Sequence, residues 1–140
     1  MANTQGIGAS FKQAALGGVI DGKALKAALY LASATTGPTN TAYTATGEVS
    51  GTNYTAGGVS VTNANSAALT STTAYWTPSA SISFTTVTLA TAFDAVMIYS
   101  TTDANRSLGV FTIGSQTITA GTFTLTMPVN DSSTGLIRFA

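Results

Sequence analysis

The amino-acid sequence predicts an all-β protein, an antiparallel β-sandwich with a short N-terminal helix and a flexible N-terminal arm. Apolar residues alternate with Thr at period two, most clearly at Phe123, Leu125 and Met127, which is typical of strands with one buried face. Short segments of this kind recur about every eight to twelve residues with turn residues between them, which indicates an immunoglobulin-like or jelly-roll-like sandwich. Threonine is abundant from Thr35 onward, and its β-branched side chain suits half-exposed strand positions. The 140 residues fit a single domain, 1–140.

The first segment predicts an arm followed by a helix. Residues 1–9 are small and polar and include two glycines, so we interpret them as a flexible arm. Ser10 and Gln13 have the spacing of a capping box, and Phe11 and Leu16 lie on one apolar helical face. The glycines at 17–18 resemble a C-terminal glycine cap. The pattern predicts a helix over residues 10–17, which is too short to be stable unless it packs on another element.

The next segment predicts a strand and then a long loop. Within residues 23–31, Leu25, Leu29 and Leu31 recur at even spacing, which favours a strand although Ala and Leu also favour a helix. Residues 35–58 contain Pro38 and several Gly, Asn and Thr, and they predict a loop long enough to be functional or disordered. We expect the arm and this loop to bridge subunits and to become ordered on contact.

The rest of the chain predicts short strands throughout. The alternation shifts register at Val87, which indicates a β-bulge or a corner. Residues 94–99 form a nearly continuous apolar run, which is typical of a strand covered on both faces. Polar turns are predicted at residues 63–65 and 101–106. The predicted strand segments are 59–61, 67–72 (pairing back), 75–76, 82–89, 94–99, 108–113, 117–119, 121–127 and 136–139.

The chain is poor in charged and reactive side chains. It has five basic and five acidic residues, a net charge of zero, no histidine and no cysteine. This composition excludes disulfides and thiolate metal sites, lacks the commonest general base, and offers too few cations to follow a nucleic-acid backbone. A protein of near-zero net charge is poorly protected against association, which favours a subunit that ends in an assembly.

Catalytic and metal-binding interpretations have weak support. Glu48 and Asp94 could pair as glycosidase carboxylates do, but the simpler interpretation places Glu48 in solvent and Asp94 at a strand start. Asp103 and Asp131 have neighbouring Asn or Ser residues that could join them around Ca²⁺, but Asx turns explain both more simply. We therefore predict no enzyme, no catalytic residue, no cofactor and no metal.

Membrane association and secretion are not predicted. No segment approaches the roughly 20 apolar residues of a membrane span. The N-terminus has no basic segment followed by an apolar one, so it does not resemble a secretory signal. We expect synthesis in a cytoplasm.

Aromatic residues are the best candidates for contacts with another protein, because Tyr and Trp are enriched at interface hot spots. An equally good interpretation places Trp76 in the core with the tyrosines covering it. The candidate interface residues, which include part of the arm, are Asn3, Gln5, Ile7, Phe11, Tyr43, Tyr54, Tyr75 and Trp76.

The order and spacing of several short segments resemble a family of small virion proteins of tailed bacteriophages, including phages of cyanobacteria. The resemblance covers nearly the whole chain, although each segment alone is an ordinary strand or turn. The chain departs from the family pattern near residues 23–31, where extra Ala and Leu replace a mixed strand. The segments that carry the resemblance are Phe11–Lys12, Ala28–Tyr30, Ala42–Gly47, Gly51–Gly58, Val96–Tyr99, Thr119–Pro128 and Gly135–Arg138.

The resemblance implies a virion structural protein made in the host bacterial cytoplasm. Our first expectation is a decoration or cement protein on the capsid exterior, bound to the major capsid protein as a homotrimer at threefold or quasi-threefold positions. A tail, neck or fibre-base subunit of the same fold is the second hypothesis. A carbohydrate-binding host-adhesion module, with Trp76 or the tyrosines stacked on sugars, is the third.

Overall fold

The computed structural model describes residues 3–140 and contains two antiparallel sheets and one helix. The predicted arm therefore begins with two residues, Met1 and Ala2, that lie outside the described range. The elements are α1 (Ala9–Ile20), β1 (Leu25–Leu31), β2 (Val59–Val61), β3 (Ala68–Thr70), β4 (Thr73–Trp76), β5 (Ile82–Ser100), β6 (Arg106–Leu125) and β7 (Ile137–Phe139). The predicted fold class, an all-β sandwich with a short helix, is confirmed. Between residues 3 and 140, no helix is both long and apolar enough to cross a bilayer.

The larger sheet has the strand order β2-β1-β5-β6, and the smaller one has the order β3-β4-β7. In the larger sheet, β1 pairs with β2 on one side and with β5 on the other. In the smaller sheet, Ala74 of β4 pairs with both Leu69 of β3 and Phe139 of β7. Residues 68–70 thus pair with the strand that follows them and not back with β2. The order leaves β2 and β6 at the two edges of the larger sheet.

The helix begins differently from the prediction. It starts at Ala9, and Gly8 is the N-cap residue without a side-chain hydrogen bond. The predicted capping box between Ser10 and Gln13 does not form. Instead, Gln13 Nε2 donates a hydrogen bond to the carbonyl oxygen of Ala67 at 3.1 Å, because the helix packs against the segment that leads into β3.

The helix also ends later than predicted. It continues through Gly17 and Gly18 to Ile20, because Leu16 and Ile20 are buried and fix the last turn to the core. A Cβ atom at position 17 would approach Asp21 Oδ2 to 2.6 Å, so a larger residue there would require the carboxylate to shift. The residue that ends the helix is Gly22, which has φ of +67° and follows the C-cap, where a left-handed glycine is common.

Several predicted short strands are parts of two long, bent strands. Residues 82–89 and 94–99 both belong to β5, so Asp94 lies inside a strand and not at its start. The three segments predicted between 108 and 127 belong to β6, which ends at Leu125. Register shifts interrupt the pairing of β5 with β6, including one at the predicted position, Val87. Bulges keep the strands continuous where local sequence breaks resemble turns. The predicted turn at 101–106 joins β5 to β6.

The larger sheet is covered on both faces. One face contributes to the main core, together with α1 and the smaller sheet. The other face carries a second cluster of buried residues, Ala28, Tyr30, Ala95, Met97 and Tyr99. Residues 95–100 are accordingly all buried, which confirms the prediction of a strand covered on both sides. The element that covers the second face is the loop of residues 35–58.

Candidate functional site

The predicted arm residues lie on the surface. Asn3 and Gln5 are exposed in the non-helical segment before α1. Ile7 is 68% exposed, and Phe11 is 67% exposed on the helix. Two large apolar side chains therefore face solvent close together in the sequence, as a contact role requires.

Trp76 is in the core and cannot form an exposed contact. Its exposed fraction is 0%, and its Nε1 donates to Asn63 Oδ1 at 3.1 Å and to the carbonyl oxygen of Asn65 at 3.2 Å. Tyr75, the preceding residue of β4, is half-buried, and its hydroxyl lies 3.4 Å from Thr70 Oγ1. The core interpretation of Trp76 is therefore correct, and its placement in an interface is wrong.

Tyr43 and Tyr54 converge on Glu48. The Tyr43 hydroxyl donates to Glu48 Oε2 at 2.5 Å, and the Tyr54 hydroxyl donates to Glu48 Oε1 at 2.7 Å. The backbone N–H of Gly57 also donates to Oε1, at 2.8 Å. Glu48 is half-buried, so the expectation that it is a solvated loop residue is wrong. A carboxylate is the side chain that can accept all three of these bonds at once.

The tyrosine–glutamate cluster fastens the loop to the sheet. The Tyr54 hydroxyl accepts a hydrogen bond from the backbone N–H of Leu29 in β1. Tyr30 and Tyr99, which project from β1 and β5, donate to the carbonyl oxygens of Thr44 and Gly57 at 2.6 Å each. Tyr43 also stacks on Tyr99 with ring centroids 4.8 Å apart. These contacts join the loop to the sheet within one chain.

The close approach of this loop to β1 depends on glycine. Gly58 has φ of +81°, a conformation that L side chains rarely adopt. A Cβ atom there would overlap the carbonyl oxygen of Ala27. The loop can therefore pass directly over the strand before β2 begins.

The pKa values of the cluster tyrosines are raised. Burial, reinforced by the charge of Glu48, raises the pKa of Tyr30 to about 12. Burial and then the hydrogen bond to Glu48 raise the pKa values of Tyr43 and Tyr54. Burial and then the Glu48 charge raise the pKa of Tyr99. The folded protein therefore favours the neutral form of all four hydroxyls.

We expect alkali to unfold the protein through this cluster. Because the folded pKa values exceed the unfolded value of about 10, the contribution of these tyrosines to stability is complete below about pH 10 and is lost as the pH rises toward the folded values. The free energy of unfolding in urea should fall steeply above about pH 10. Tyrosinate absorbance should rise together with the loss of native circular dichroism.

The control for this prediction is the same titration in denaturing urea, where all five tyrosines should ionise at about pH 10. Ionisation of the cluster tyrosines at that pH in a protein that keeps its native circular dichroism would contradict the prediction.

The two carboxylates considered for calcium binding have structural partners. Asp103 forms an ion pair with Arg106. Asp131 Oδ1 accepts hydrogen bonds from the backbone N–H groups of Ser133 and Thr134, as the predicted Asx turn requires. These bonds, above all the one from Thr134, lower the pKa of Asp131. Among residues 3–140, no group of three His, Cys, Asp or Glu side chains is placed to hold a metal ion.

Two parts of the apolar surface lie outside the predicted interface residues. Val129 and Phe139 are exposed, and β6 carries Phe111 and Ile113, which are half-buried against the main core. The absence of charge from Ser107 to Asn130 is the signal that could have found Phe111, Ile113 and Val129, whereas Phe139 follows Arg138 outside that stretch.

Comparisons of the chain with protein-family models, with curated proteins and with solved structures found no match.

Proposed function

We propose that the protein is a virion structural subunit that decorates the capsid exterior of a tailed bacteriophage and stabilises the shell by binding the major capsid protein. The exposed apolar surface is the observation that carries the general part of this proposal, a protein-binding role. Within residues 3–140, four large apolar side chains, Ile7, Phe11, Val129 and Phe139, are exposed, in a chain with ten ionisable Asp, Glu, Lys and Arg residues. The resemblance to small virion proteins supports the specific part.

The exposed apolar side chains occur at both ends of the chain. Ile7 and Phe11 lie in and beside the N-terminal segment, while Val129 and Phe139 follow β6. A decoration subunit stabilises the capsid shell because it binds the assembled capsid proteins and not the free ones. Apolar and hydroxyl contacts suit this role, since burial of apolar area contributes about 25 cal/mol per Å² and needs no paired charge.

Trp76, the strongest candidate residue of the carbohydrate-binding hypothesis, is not accessible for stacking on a sugar. A sugar-stacking platform must be exposed, and Trp76 is buried. The hydroxyls of Tyr43 and Tyr54 are bonded to Glu48 within the chain. No specific contact favours this hypothesis over protein binding.

The test is to measure the copy number of the chain in purified virions of a phage that encodes it. We expect a copy number of the same order as that of the major capsid protein, measured by densitometry of stained gels. A few copies per particle would indicate the tail, neck or fibre-base alternative, and absence from washed particles would refute the proposal.

A further inference from the structure

We propose that the outer edge of β6 is an interface between two copies of this chain. In this interface, the segment Gly109–Ile113 of one copy pairs antiparallel with the same segment of the other, so that the larger sheet continues from one copy into the next. The inference does not depend on the virion role, because it follows from the strand order and the side chains of β6.

The edge is open along most of its length. β6 is the last strand of its sheet and pairs with β5 alone among the named strands. The loop covers its first residues, where Ala42 bridges Arg106 and the N–H of Ser107 donates to the carbonyl oxygen of Thr41. From Leu108 onward, no strand among residues 3–140 pairs with the outer side. Unpaired N–H and C=O groups of this kind are a template for another strand.

The edge also lacks the usual protection against pairing. Natural edge strands carry Lys, Pro or inward charges, or are very short. The opposite edge, β2, is protected by its length of three residues. No Lys, Arg, Asp, Glu or Pro occurs from Ser107 to Met127. The pairing with β5 shifts register between Ser107 and Gly109 and again near Gly114, which has φ of +78°, so Gly109–Ile113 is the part that presents a straight edge.

The lack of charge favours a second copy as the partner. In a twofold interface each patch meets itself, and a charged edge would therefore repel its own copy. Here the one charge is Arg106, at the start of the strand. Antiparallel pairing places that end beside the Ile113 end of the other copy, so the two arginines stay apart. An acidic or basic partner would find no opposite charge along this edge.

An apolar groove lies beside the edge, and a second copy paired to the edge would also cover it. A cavity of about 250 Å³ opens between β5, β6 and the segments that lead out of β6 and into β7. Phe111 and Ile113, which line it, are half-buried, and so are Met127 and Leu136. Twofold pairing of the edges brings the Phe111 side chains of the two copies near each other, and cross-strand aromatic pairs are favourable. The twofold pair differs from the trimer that the family resemblance implies.

The first test compares two lysine substitutions by sedimentation equilibrium across the micromolar range. The unmodified chain should have twice its mass of 14.0 kDa. Thr112→Lys, at an exposed position of the edge, should raise the dimer dissociation constant at least about tenfold, because lysine is a charge that blocks edge pairing. Ser60→Lys, exposed on the opposite edge strand β2, is the matched control and should leave the dimer intact.

Three results would overturn the inference: a monomeric or trimeric unmodified chain, a dimer that Thr112→Lys does not weaken, or a dimer that Ser60→Lys weakens instead. Circular dichroism establishes whether each variant folds. If Thr112→Lys does not fold, spin labels decide, because the chain has no cysteine and accepts one label at Thr112→Cys or Ser60→Cys. The distance between labels in the dimer should be shorter for position 112, and a shorter distance for position 60 would refute the pairing.

Discussion

Replacing Glu48 with alanine is expected to lower the free energy of unfolding by about 3 kcal/mol, because it removes the acceptor shared by three donors. The Tyr43 and Tyr54 hydroxyls and the Gly57 N–H all donate to this carboxylate. Each buried donor left without a partner costs about 1–3 kcal/mol, and water can reach part of this half-buried site. Urea unfolding followed by circular dichroism measures the loss.

The Glu48→Ala substitution should also loosen the structure locally, as measured by amide hydrogen exchange. The N–H of Leu31 donates to the carbonyl oxygen of Gly47, and the N–H of Val49 donates to that of Leu29. Both bonds join the loop to β1, so both amides should exchange faster with solvent in the Glu48→Ala protein. Main-core amides such as that of Ile98 should change less, because the second face of the sheet is the part that opens.

Two variants separate the role of the carboxylate from a general effect of substitution. Glu48→Gln keeps one oxygen acceptor, so it should cost less than Glu48→Ala. Asp94→Ala is the matched control, because Asp94 is also half-buried and its carboxylate has no hydrogen bond within residues 3–140. We expect the control to stay within about 0.5 kcal/mol of the unmodified protein. Equal losses for Asp94→Ala and Glu48→Ala would contradict the assigned role.

The fold class followed from local pattern, but the lengths of the strands did not. Alternation and turn residues located nearly every β segment, including the doubly covered run around Val96. They could not show that β5 and β6 are continuous, because a bulge such as that at Thr86, with φ of +52°, has the same local sequence signal as a turn. Only pairing with a neighbouring strand distinguishes the two.

The candidate site was predicted in part. The exposure of Ile7 and Phe11 agrees with the prediction, because polar and glycine-rich surroundings offer them no cover. The roles of Tyr54 and Glu48 were missed, since the Leu29 N–H bonds to the Tyr54 hydroxyl 25 residues away along the chain, and that hydroxyl in turn donates to Glu48. Composition shows that a loop is rich in Thr, Gly and Tyr. It does not show which carboxylate those tyrosines share.

Replacing Trp76 with alanine is expected to lower the free energy of unfolding by about 3–5 kcal/mol, the usual cost of removing a fully buried aromatic side chain. Trp76 lies in the main core with no exposed surface. Its indole N–H also holds Asn63 in place, and the amide group of Asn63 in turn donates to the carbonyl oxygens of Ile20 and Lys23 at the end of α1. The loss should therefore loosen the helix as well as leave a cavity.

Trp76→Phe and Tyr75→Ala complete this experiment. Trp76→Phe keeps most of the apolar volume and removes the N–H donor, so it should cost about 1–2 kcal/mol. Tyr75→Ala, at the adjacent half-buried position of the same strand, should cost less than Trp76→Ala, because less surface is buried there. Urea unfolding followed by far-ultraviolet circular dichroism compares all three, since Trp76 is the single fluorescent tryptophan and two of the variants lack it.

Full stability of Trp76→Ala, together with a loss of binding to cells or glycans, would instead revive the carbohydrate-binding hypothesis, because an exposed platform contributes to recognition and not to the core.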